Sequence, residues 1–265
     1  MGRRRVDVAV GEVRCDWGPL VPDEQWAVYE RAIAHARAAG IPFALGGAFG
    51  LACWTGSFRN TKDLDLYVQP RDREGMIAAL GRAGLRDYYD RQPYDRAWIY
   101  RAAEGEVIVD VIWAMANQRA QVDAAWLERG PEVTVRGATL RVIPVEELVW
   151  AKLYVVQRER CDWPDVLNVL HARGPALDWD HLCRRLGEDL PLLRGALALY
   201  GWLCPERAAA LPPGLWREIG VPPPAPGPAA GGRRRVDLLD SRPWLFPPPL
   251  QEEDAVPAAS RDPAC

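Results

Sequence analysis

An α/β (α+β) fold is what this 265-residue sequence predicts, with a mixed sheet in its first half and a helical bundle after it. Three observations carry that expectation. Up to residue 143, short β-branched runs alternate with stretches whose apolar residues recur every three to four positions; from Pro144 onward only the helical spacing remains. The third observation is punctuation: Gly40, Pro42 and Gly84 fall where one period gives way to the next.

Residues 1–22 show no clear period and read as an N-terminal extension ending in Pro22, a helix-starting loop. Residues 23–39 place Trp26, Tyr29, Ile33 and Ala36 on one face, so an amphipathic helix is expected, ended by Gly40. Residues 43–45 are a short strand, and 48–54 a short buried helix after Gly46-Gly47. In residues 61–68, Leu64, Leu66 and Val68 alternate with Asp63 and Asp65, which is strand spacing. Asp72 is expected to cap a helix running to Arg82, which Gly84 stops. Strands are expected at 85–89, 96–101 and 107–113, and a hairpin at 132–136 and 139–143 around Gly137-Ala138. Helices follow at 145–157, 164–172, 179–186, 190–203 and 205–219. The divisions are therefore 1–22, a mixed α/β unit at 23–143, a helical region at 144–220, and a Pro/Gly-rich tail at 221–265 of linker or disordered composition. Within that tail, residues 236–246 carry Leu238, Leu239, Trp244 and Leu245, which could dock back onto the folded body.

Bulk properties exclude several function classes. A net charge of −3 argues against broad nucleic-acid binding. The arginines of the helical region are offset by acids such as Asp178, Asp180, Glu188 and Asp189. No apolar run reaches the roughly twenty residues of a membrane-spanning helix. The six cysteines lack C-x-x-C spacing and read as reduced thiols in the cytoplasm, not as a disulfide frame or zinc site. His35, His171 and His181 read as helix-surface residues. Most of the twelve tryptophans fall at core spacing. Lys62 and Lys152 are the only lysines, which draws attention to both.

The chemistry concentrates in three carboxylates. Asp63 and Asp65 share one face of a strand and repel each other, which makes sense if a hard divalent ion such as Mg²⁺ sits between them. Asp110 is the only charge inside the β-branched run 107–113, where it is costly unless bonded to an arginine or a metal. Three carboxylates on neighbouring strands fit a two-metal site, with ions roughly 3.5–4 Å apart, for in-line displacement at phosphorus.

Gly46-Gly47, the turn with Arg59 and Thr61, the Asp63-Leu-Asp65 pair and Asp110 together resemble the signature of the polymerase-beta-like nucleotidyltransferases. The likeness is to the small bacterial branch that includes AbiEii-type toxins and aminoglycoside nucleotidyltransferases. Residues 143–152 and 158–170 resemble the same branch, so the resemblance spans roughly residues 41–173. It implies a mixed-sheet nucleotidyltransferase fold and an enzyme that transfers a nucleoside monophosphate from a triphosphate, ATP among them, to an acceptor hydroxyl with release of pyrophosphate. Asp63, Asp65 and Asp110 would then be the metal ligands and catalytic residues for two Mg²⁺ ions, with Asp110 also orienting or deprotonating the acceptor. Gly46 and Gly47 would admit the triphosphate to the backbone, and Arg59 and Lys152 would contact nucleotide or substrate. The sequence departs from many relatives in having Gly47 and Ala48 where a serine follows the first glycine. Lys152 also reads as a snorkelling lysine on a core helix, and Asp162 and Asp165 as a helix cap and a salt bridge. Two other classes stay open: a catalytically silent binding or regulatory protein of the same fold, and a toxin-like enzyme acting on tRNA or protein. The complete acidic triad argues against the first.

Overall fold

The computed structural model describes residues 13, 15–59, 61–224, 235–239 and 244–245. Helix α1 (Asp23–Ala38) buries Trp26, Tyr29, Ile33 and Ala36 and carries Asp23 and Glu24 in its first turn, where acids suit the helix dipole. Strand β1 (Ala44–Leu45) leads into α2 (Gly47–Thr55), which is buried from Phe49 onward and closed by a left-handed Gly56. Then come β2 (Asp63–Tyr67), α3 (Arg73–Arg82), β3 (Arg86–Asp87), β4 (Ile99–Glu104) and β5 (Val107–Ile112). Their order in the sheet is β1-β2-β5-β4-β3. The β2–β5 pair is parallel and the other three are antiparallel, so the sheet is mixed.

Helix α4 (Ala124–Glu128), which the periodicity missed, is capped by Asp123. The hairpin of β6 (Glu132–Val135) and β7 (Ala138–Arg141) forms its own two-stranded sheet. Helices α5 (Val145–Leu153), α6 (Trp163–Arg173), α7 (Trp179–Leu186), α8 (Leu190–Leu203), α9 (Pro205–Ala209) and α10 (Pro213–Ile219) follow. Buried side chains from sheet and helices, from Trp17 to Ile219, join in one apolar cluster.

Several expectations are corrected. The hairpin loop is Arg136-Gly137, not Gly137-Ala138, because Val135 pairs with Ala138. Both loop residues have positive φ, as a two-residue turn of this hand requires. Arg136 tolerates it while its guanidinium bonds Gly18 O, Val21 O and Asp23. Strand β4 starts at Ile99, not 96, since Asp95 accepts from the Ala97 amide in a turn. Asp72 occupies the N-cap of α3, but its side chain makes no capping bond. Helix α5 stops at Leu153, where burial ends although the apolar run continues through Tyr154, Val155 and Val156, and Val156 pairs with Cys161 in a small turn. The helix expected at 205–219 breaks in two at Pro212-Pro213.

Cys15 and Cys53 are disulfide-bonded, against the expectation of reduced thiols. Spacing rules could not pair them, because α1 folds back between them in sequence and brings their Cα atoms to 4.7 Å. The thiol argument for the cytoplasm therefore no longer holds. His181 is buried, with Nε2 2.7 Å from Glu147 Oε1 and Nδ1 2.8 Å from an Arg129 nitrogen. His171 is half-buried, and burial pulls its imidazole down to about 4. Neither is a surface histidine. Of the returning segment, Val236 and Trp244 pack on the body while Leu238 and Leu239 stay exposed. Residues 225–234, 240–243 and 246–265 of the Pro/Gly-rich tail, and residues 1–12 and 14 of the expected extension, lie outside the described residues. Among the described residues no helix is long and apolar enough to cross a membrane.

Candidate active site

The parallel register of β2 and β5 places Asp65 directly beside Asp110. Asp63 lies two residues from Asp65 and so shares its face, while Leu64 and Leu66 point into the core. The three carboxylates predicted from spacing are therefore brought together. Asp110 is almost wholly buried at 1% exposure. Asp65 is half-buried, and its carboxyl is pushed up to about 8, first by burial and then by the charges of Asp110 and Asp63. Burial also raises Asp110, against the pull of Arg101.

Arg101 is the residue that sequence reasoning missed. It sits on β4 opposite Asp110, donating from Nε to Oδ1 and Oδ2 at 3.0 and 3.1 Å and from Nη2 to Oδ2 at 2.8 Å. The same Nη2 lies 4.0 Å from Asp63 Oδ2. An arginine within a strand opposite a lone aspartate was the available signal, but β4 was expected three residues too early to show the pairing. Thr61 ties the turn to the acids: its hydroxyl donates to Asp63, and its carbonyl accepts from Gln25 of α1 at 2.5 Å.

The glycine pair sits against the acids. The Gly46 amide donates to the Asp65 carbonyl at 3.0 Å. Gly47 has φ +56°, and a Cβ there would fall 1.5 Å from Asp65 Oδ2. Gly46 lies behind, where a Cβ would meet the Tyr67 ring at 2.2 Å. Both glycines are thus required by close approach, and the N-terminus of α2 opens beside the acid pair.

Across the cleft, Lys152 on α5 donates to Asp162 at 2.9 Å and Asp165 at 2.6 Å. Arg160 reaches Asp162 as well, at 3.1 Å, and these cations hold the Asp162 carboxyl below its usual range despite burial. Gly47, Arg59, Asp63, Asp65, Asp110 and Lys152 all line one cleft of about 1210 Å³. Arg59 is exposed there, and Lys62 turns away to Glu106 at 3.3 Å. Trp244 adds an aromatic wall, its carbonyl accepting from Asn168 Nδ2 at 2.9 Å. Among the described residues no group of three or more His, Cys, Asp or Glu side chains is already closed as a set of metal ligands. At Asp110 the guanidinium of Arg101 supplies the neighbouring positive charge.

A mixed sheet with an aspartate pair on one strand, a third aspartate on its parallel neighbour and a glycine turn at their side is the arrangement expected from the resemblance to nucleotidyltransferases. The chain belongs to the family described as uncharacterised nucleotidyltransferase, whose model matches residues 54–206. Similar solved structures include the antibiotic-resistance factor ANT(2'')-Ia in solution, at 19% identity and a TM-score of 0.41 over 69% of this chain and 96% of that one. The lincosamide antibiotic adenylyltransferase LnuA with bound lincomycin is 15% identical, with a TM-score of 0.40 over 56% and 96% of the two chains. JHP933 from Helicobacter pylori is 12% identical, with a TM-score of 0.38 over 67% and 79%. These are likenesses of fold alone. No curated protein matches the sequence.

Proposed function

We propose that the protein is a Mg²⁺-dependent nucleotidyltransferase that moves a nucleoside monophosphate from a triphosphate, ATP among the candidates, to an acceptor hydroxyl and releases pyrophosphate. One observation carries this reading: the register that sets Asp65 beside Asp110, with Gly47 against Asp65, in a cleft large enough for two substrates. The donor set fits a hard divalent ion. Its oxygens share one face, and burial together with repulsion from Asp110 and Asp63 raises Asp65; a bound cation would offset that repulsion. Asp63 and Asp65 would hold the ions together with Asp110. Ions bound there would neutralise charge on the transferring phosphoryl group and acidify the acceptor hydroxyl.

The other roles belong to the chain itself. Gly47 and the first amides of α2 receive phosphate oxygens, because no side chain stands in the way. Arg59, exposed on the rim, contacts nucleotide or substrate. Lys152 faces the triphosphate from the helical wall while Asp162 and Asp165 fix its ammonium. Asp110 orients the acceptor and takes its proton as the oxygen attacks the α-phosphorus. The α–β bridging bond breaks and pyrophosphate leaves. In this reading residues 23–143 carry the chemistry and 144–220 the facing wall, flanked by the 1–22 extension and the 221–265 tail.

Calorimetric titration with each nucleoside triphosphate, with and without Mg²⁺, tests it on the wild type and Asp63→Asn. Metal-dependent binding that the variant loses is the expected result. No triphosphate binding to the wild type would overturn the proposal.

A further inference from the structure

The one cation bonded to the acidic triad, among the described residues, is Arg101. Its side chain is 30% exposed, against 2% for that of Asp110. The pair is cross-strand, and the β4 backbone holding it is pinned from a second direction. The Arg101 amide donates to Tyr94 Oη at 3.0 Å, and that hydroxyl donates to Asp87 Oδ1 at 3.0 Å. Arg96 closes the chain on Asp87 Oδ2 at 2.5 Å.

Chemistry narrows what such an arginine does. A guanidinium presents a planar fork of fixed geometry, so it fixes the plane of the carboxylate it bonds. Three bonds to Asp110 and a 4.0 Å approach to Asp63 aim that fork at carboxylates. Gly47 and Lys152, which the reading above assigns to phosphate, approach from Asp65 and from the helical wall instead.

We propose that Arg101 is a positioning residue: it holds the Asp110 carboxylate turned to the face shared with Asp63 and Asp65, and so sets the second metal site without gripping the triphosphate. The inference rests on the nucleotidyltransferase reading. It expects the Arg101→Gln variant to separate two quantities that a triphosphate-binding arginine would move together.

The probes are Mn²⁺, counted by the paramagnetic signal of the free ion, and the α,β-methylene analogue of the triphosphate that binds best. With the full chain as Arg101→Gln, the analogue should bind within about threefold of wild type, while the weaker of two Mn²⁺ affinities falls roughly 10–100-fold. Turnover should fall with it at little change in KM for the triphosphate. Arg101→Lys, which keeps the charge and loses the fork, should lie between. A tenfold loss of analogue affinity with both Mn²⁺ sites intact would make Arg101 a triphosphate ligand and overturn the proposal. Unchanged Mn²⁺ affinity would do so too. If Arg101→Gln fails to fold, Arg101→Lys carries the test alone, with weakened Mn²⁺ affinity expected and wild-type affinity overturning. Asp110→Asn separates the two levels: full Mn²⁺ binding and turnover in that variant sinks the nucleotidyltransferase reading itself. Loss in Asp110→Asn with none in either Arg101 variant sinks only the role given to Arg101.

Discussion

Asp65 is where side-chain energetics and chemistry meet. Its carboxyl sits near 8 in the fold, against about 4 in an unfolded chain. Between those values the folded state holds a proton that the unfolded state has released. Without metal, stability therefore falls as pH rises from about 4 to about 8, then levels off. Melting curves across that range should show the decline in the wild type, and Asp65→Asn should flatten it. At pH 8 the Asn variant should be more stable by at least about 1 kcal/mol, roughly 2–4 °C in a domain of this size. Asp63→Asn is expected to abolish transfer while melting near wild type or slightly higher. Retained turnover in that variant would contradict the role given to Asp63.

Two elements make the site possible, and each can be broken by one change. The turn into α2 places backbone where a Cβ cannot go. Gly47→Ala should displace Asp65, destabilise the protein by roughly 1–3 kcal/mol through its positive φ, and weaken Mg²⁺-triphosphate binding at least tenfold. Calorimetry beside a thermal melt measures both, and normal affinity would show that Asp65 is not held by this contact. The joint between α5 and α6 depends on Lys152, whose ammonium joins two largely buried carboxylates. Lys152→Met leaves Asp162 and Asp165 without it, so a loss of about 2–4 kcal/mol in denaturant unfolding is expected. Adding Asp165→Asn should recover part of that loss, and no recovery would mean that the lysine acts elsewhere.

Across the whole molecule, the Cys15–Cys53 bond ties the segment before α1 to the helix that opens at the glycine turn. It closes a loop of 38 residues, which on chain-entropy grounds is worth roughly 2–4 kcal/mol. Cys15→Ser, or reduction of the wild type, should lower the melting temperature by several degrees. An unchanged melt under dithiothreitol would show that Trp17, packed on Phe49 at 4.5 Å and Phe58 at 6.0 Å, secures that segment alone.

Much of this molecule is local in origin. Helix α1, strand β2 and strand β5 follow from spacing of apolar residues a few positions apart, and so does the shared face of Asp63 and Asp65. The isolated charge at Asp110 was equally legible, because a single acid in a β-branched run stands out whatever its partners. What spacing could not reach were relations between distant segments. The parallel register that sets Asp65 beside Asp110, the fork of Arg101, the packing of Gly47 on a carboxylate 18 residues away and the Cys15–Cys53 bond all depend on which strands become neighbours. So do the histidines, whose helical spacing looked superficial until α7 closed His181 over Glu147. A sequence by itself determined period, polarity and the residue types able to do phosphoryl chemistry. Only the tertiary structure decided their partners, because partnership arises from the burial of the whole sheet and bundle together and has no signature within any one segment.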